Sequence, residues 1–73
     1  MKMSKAKALE IQARDVKYYG KLYPEIDVAG IVSRATTADQ LAEGEHDVVE
    51  INRHIPRGGF LEMLIGKFYQ THG

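Results

Sequence analysis

No cysteine and no tryptophan occur among the 73 residues of this chain. Without cysteine there is no disulfide framework and no thiolate to act as nucleophile or zinc ligand. Proline is confined to Pro24 and Pro56, so the strong breakers are few. Net charge is also absent: ten basic and ten acidic residues cancel. The isoelectric point near 6.8 lies well below the value of about 9 that marks dedicated DNA-binding domains. Long apolar runs are missing too. Phe60 to Gly66, the longest, is broken by Glu62 and falls far short of the ~20 residues that cross a bilayer. The opening Met1-Lys2-Met3-Ser4-Lys5 has the basic character of a signal-peptide start, but Ala8 to Asp15 is too charged to follow it as an apolar core. These absences predict a cytoplasmic protein with no membrane segment.

The chain does have enough apolar content to fold, at 44% hydrophobic and 27% charged. Its length predicts a single small domain over 1–73, one that buries about 60% of its unfolded surface. The charges are sorted into blocks. Lys2, Lys5, Lys7, Arg14, Lys17 and Lys21 stand against Glu10 and Asp15; Glu25, Asp27, Asp39, Glu43, Glu45, Asp47 and Glu50 then stand against Arg34 alone. Arg53, Arg57 and Lys67 against Glu62 make the tail basic again. Such blocks either neutralise one another in the fold or form patches that steer a charged partner.

The pattern predicts an α+β fold. Ser4 is a candidate N-cap for a long first helix, Lys5 to about Tyr19, with Ala6, Leu9, Ala13 and Val16 as its core stripe and Gly20 and Tyr23-Pro24 ending it. Ile26–Val32 and Val49–Ile55 read as two short antiparallel strands, the second closed by Pro56. Between them Thr37-Ala38-Asp39-Gln40 fits a capping box opening a short helix to Glu43, with Gly44 after it. Phe60 to about Gln70 is an amphipathic helix with Phe60, Leu61, Leu64, Ile65 and Phe68 inward and Glu62, Lys67 and Gln70 outward. An all-helical bundle is the alternative if both strand segments are helical.

Sites for chemistry are sparse. Glu45-His46-Asp47 alternates its side chains across an extended segment, His46 and His54 lack zinc-helix spacing, and His72 sits in the tail, so no metal or cofactor is expected. Ser4 and Ser33 lack the sharp turn of a nucleophile elbow, and Gly58-Gly59 lacks the further glycine and lysine of a phosphate loop. A catalytic cleft is hard to carve from so small a core. The expectation is a non-enzymatic binding module, monomeric, without catalytic residues. Two surfaces qualify for a protein contact. Ile11, Arg14 and Tyr18 fall on the outer side of the first helix; Arg53, His54 and Arg57 surround Ile55 and Pro56, mixing basic and apolar groups. A histidine in that contact makes binding sensitive between about pH 5 and 8. A small DNA-binding accessory protein is the alternative, with the first-helix lysines following phosphates. In a helix-turn-helix reading, however, the element after Thr37 carries Asp39, Glu43 and Glu45 and would repel the groove.

From Met1-Lys2-Met3-Ser4-Lys5-Ala6-Lys7-Ala8-Leu9-Glu10 to Gly66-Lys67-Phe68-Tyr69-Gln70-Thr71-His72-Gly73, the chain resembles in size and character the small RNA-polymerase-binding transcription regulators of lytic Xanthomonas bacteriophages. The resemblance implies a partner in bacterial RNA polymerase, in the host cytoplasm. It also implies inhibition of initiation through interference with sigma-factor engagement, and antitermination. It rests on no shared motif and assigns no residue.

Overall fold

Ser4 begins the architecture as expected. Its hydroxyl accepts the Lys7 amide at 3.0 Å, capping helix α1, Lys5–Leu22. Gly20 does not stop the helix, since a helical glycine costs only about 1 kcal/mol. Pro24 does. It forces Tyr23 out of helical geometry (φ −125°, ψ 70°) while the Tyr23 amide still reaches the Tyr19 carbonyl at 2.9 Å. The computed structural model describes residues 1–72, with side chains through Phe68; the side chains of Gln70 and His72, singled out above, lie outside the described residues.

The remaining order is α2 (Val28–Ala35), a single 3₁₀ turn (Ala38–Gln40), α3 (Val48–His54) and α4 (Gly59–His72). Two three-residue strands, β1 (Lys2–Ser4) and β2 (Glu45–Asp47), pair antiparallel with Lys2 opposite Asp47, Met3 opposite His46 and Ser4 opposite Glu45. The fold is therefore a small α+β one, but its strands lie where none was predicted. Both segments read as strands are helical instead. In α2, Asp27 is the N-cap and its carboxylate accepts the Gly30 amide at 3.1 Å; Val28, Ile31 and Val32 then face inward. In α3, Ile51 is fully buried on the helix and Ile55 just past its end, while Val49 is 62% exposed. The Thr37 capping box does not form. Its backbone carbonyl receives Gln40, but its hydroxyl is taken by His54, and the element stops after one turn. Gly44 does adopt the left-handed region (φ 107°), at the turn leading into β2.

The inward face of α1 is rotated about a third of a turn from the apolar stripe. Ala8 and Gln12 are buried and Asp15 and Tyr19 half-buried, whereas Ala6, Leu9 and Ala13 are exposed. The helix packs through polar groups that find partners, and an apolar count could not reveal that. Two hydrophobic clusters result. One joins Ala8, Leu41, Ile51 and Ile55, with Met3 and Ala38 against it. The other joins Val28, Val32, Leu61 and Ile65, with Val16, Tyr19, Tyr23 and Ile26. Helix α4 thus supplies only part of the core, and Phe60, expected inside, is 51% exposed.

Candidate interaction surface

The loop between α3 and α4 is pinned to α1 by polar contacts. Gln12 Nε2 donates to the buried Pro56 carbonyl at 2.9 Å and to Thr36 Oγ1 at 2.9 Å. Three residues further along α1, Asp15 Oδ2 accepts the Gly58 amide at 2.8 Å. Gly58 has φ 56°, a conformation that suits glycine and aims its amide at that carboxylate. His54 is tied on the other side: its Nδ1 lies 2.7 Å from Thr37 Oγ1, and its carbonyl accepts the Thr37 amide at 2.8 Å.

These contacts place the six expected contact residues. Ile11 is half-buried at the flank of the inward face of α1, so it is not the outward anchor the apolar stripe suggested. Arg14 is exposed, its Nε 3.6 Å from Asp15 Oδ1. Tyr18 is 61% exposed, its ring set edge-on to Tyr19 at 5.0 Å between centroids. The Asp15–Gly58 bond joins the inward face of α1 to the loop that carries Arg57. Within the second group the roles divide. Arg53 is exposed and makes no ion pair among the described residues. His54 is held by Thr37. Arg57 is half-buried, with its Nε enclosed and without a hydrogen-bond partner. Ile55 and Pro56, expected to add apolar surface, are buried.

The exposed apolar surface beside Arg53 comes instead from α4. Phe60 and Met63 are 51% and 57% exposed. With Ala35, Asn52, Arg53, Pro56, Leu64 and Lys67 they line a groove of about 220 Å³. Asn52 Oδ1 is buried there without a hydrogen-bond partner. The sequence did carry a signal for this groove: 60, 63, 64 and 67 recur at helical spacing beside the core stripe 61, 65 and 68.

Among the described residues ion pairs match the charge blocks only in part, although the β1–β2 register sets Lys2 opposite Asp47. Lys5 reaches the Leu41 carbonyl at 3.0 Å and Glu43 at 3.6 Å, and among the described residues this is the one ion pair between the basic N-terminal block and the acidic centre. Lys7 pairs within its own helix with Glu10 at 3.9 Å, and Glu50 lies 3.8 Å from His46. No three His, Asp or Glu side chains among the described residues are grouped to hold a metal ion, and none of the helices searched is long and apolar enough to cross a membrane. The three-residue turn after Thr37 is too short to enter a DNA groove as a recognition helix. Compared with known proteins, the chain matches no family model, no curated protein and no solved structure.

Proposed function

We propose that the chain is a non-enzymatic regulator that occupies a surface of bacterial RNA polymerase, hindering sigma-factor engagement at initiation and favouring read-through at terminators. The supporting observation is the charge left outward by folding. Lys17, Lys21 and Arg53 make no ion pair among the described residues, where Lys5 with Glu43 is the one ion pair between the basic N-terminal block and the acidic centre. Unmatched patches of both signs steer association with a highly charged macromolecule and add little to the stability of the monomer. The resemblance to phage regulators supplies the identity of that macromolecule.

The test uses RNA polymerase purified from Xanthomonas, as core and as holoenzyme, treated with nuclease and passed over the immobilised chain. Retention of the core, weakened by added sigma factor, is the expected result, together with fewer initiated transcripts in a single-round assay. Absence of retention even at low ionic strength refutes the reading. Retention that disappears with nuclease assigns the chain to DNA binding.

A further inference from the structure

We infer that the groove between α3 and α4 is a docking site for a short protein segment that is both acidic and apolar. This deepens the polymerase reading by naming the chemistry of the contact. At about 220 Å³ the groove is smaller than the ~300–1,000 Å³ of small-molecule sites, and it suits one or two side chains. Five of its eight lining residues are apolar: the aliphatic Met63, Leu64, Pro56 and Ala35, and the aromatic Phe60. Phe60 and Met63 are both more than half exposed, so an incoming Leu, Ile or Phe side chain would remove their surface from water along with its own.

One charged side chain sets the polar character of the occupant. Arg53 stands at the wall, exposed and without an ion pair among the described residues, and its planar fork of donors fits a carboxylate. The same guanidinium repels a basic segment. The acids nearest along the chain are Glu50, 3.8 Å from His46, and Glu62, which accepts the Tyr19 hydroxyl at 3.0 Å; neither lines the groove.

The test is a display library of random dodecapeptides selected on the full chain. Enriched sequences are expected to combine Leu, Ile or Phe with Asp or Glu. They should bind Arg53→Glu and Met63→Glu at least about tenfold more weakly, and Arg14→Glu as tightly as the parent. Arg53 and Met63 are exposed, so both variants should keep the parent melting temperature, which is measured alongside. Absence of enrichment, enrichment of basic peptides, or equal binding by the two groove variants overturns the inference. So does uptake of labelled oligothymidine in an Arg53-dependent way in place of peptide. The polymerase assay separates the two readings. Polymerase retained equally by parent and groove variants removes the groove alone, whereas peptides behaving as expected without polymerase retention remove the polymerase alone.

Discussion

Gln12 is the buried polar residue between the two hydrophobic clusters, and its amide is the donor for the Pro56 carbonyl. Thr36 does not depend on it in the same way, because the Thr36 hydroxyl already donates to the Val32 carbonyl at 2.7 Å. Gln12→Leu keeps the volume and removes the donor, leaving a buried carbonyl unpaired. The expected loss is about 2 kcal/mol, or roughly 10 °C in melting temperature for a domain of this size, measured by circular dichroism. Tyr19 carries a pH dependence. Partial burial, the hydrogen bond to Glu62 at 3.0 Å, and the negative charges of Glu62 and Asp15 all raise its pKa above 10.0. An acid whose neutral form is favoured by folding contributes stability that is present below its unfolded pKa and lost as pH rises through the folded one. The parent should therefore be more stable than Tyr19→Phe at neutral pH, with the gap closing above about pH 10 in melts across that range. Constant separation of the two curves would contradict this account. Arg57 behaves unlike Arg53: with its Nε enclosed, Arg57→Glu is expected to destabilise the fold, while Arg53→Glu leaves it intact.

At the scale of elements, α2 shows why half of the architecture was misread. Gly30 stands three residues after Asp27, where the capping carboxylate closes over it. A Cβ at Gly30 would overlap that side chain, meeting its Cγ at 2.8 Å. The spacing Val28, Ile31, Val32, Ala35 is helical, as is Val48, Ile51, Asn52, Ile55, and an Asp precedes each run. In so short a segment β-branched residues satisfy either period; for α2 the Asp27 cap is the signal that decides, whereas Asp47 makes no side-chain cap to α3. The Ser4 cap, the Pro24 stop and the amphipathic C-terminal helix were legible because each depends on neighbouring residues only. The β1–β2 pair was not, since Lys2–Ser4 gains strand geometry from a partner more than forty positions away. Nor was the inward face of α1, whose Gln12 and Asp15 reach partners in another loop. The cap predicts a non-additive pair. Asp27→Ala should cost about 1 kcal/mol. Gly30→Ala should be neutral or destabilising in the parent, yet should stabilise by about 0.5–1 kcal/mol once Asp27 is alanine, because the helical preference of alanine then acts without displacing a cap. A double-mutant cycle by chemical denaturation measures the coupling, and additive values would show that the Asp27 cap does not constrain Gly30.

The whole molecule measures 37 × 20 × 20 Å, and α1, at 18 residues and about 27 Å, runs through both hydrophobic clusters. Ala8 belongs to the first cluster, and Val16 and Tyr19 pack against the second. Neither cluster, at four buried residues each, can hold a helix of that length alone, and a domain of this size has only about 3–5 kcal/mol of net stability to distribute. Loss of one end therefore removes the helix from the other, and unfolding is expected to be a single transition. Ile51→Val tests this from a distance. It trims a methyl group in the first cluster, at a cost of about 1 kcal/mol. The slowest-exchanging amides of α4, around Leu61 and Ile65 in the second cluster, should lose protection by roughly fivefold, the same factor as those of α3. Hydrogen exchange followed by NMR reads both helices in one experiment. If α3 loses protection while α4 keeps it, the clusters open separately. A segment docked in the groove, which is lined by residues of both α3 and α4, would then stabilise only a part of the chain and not the whole.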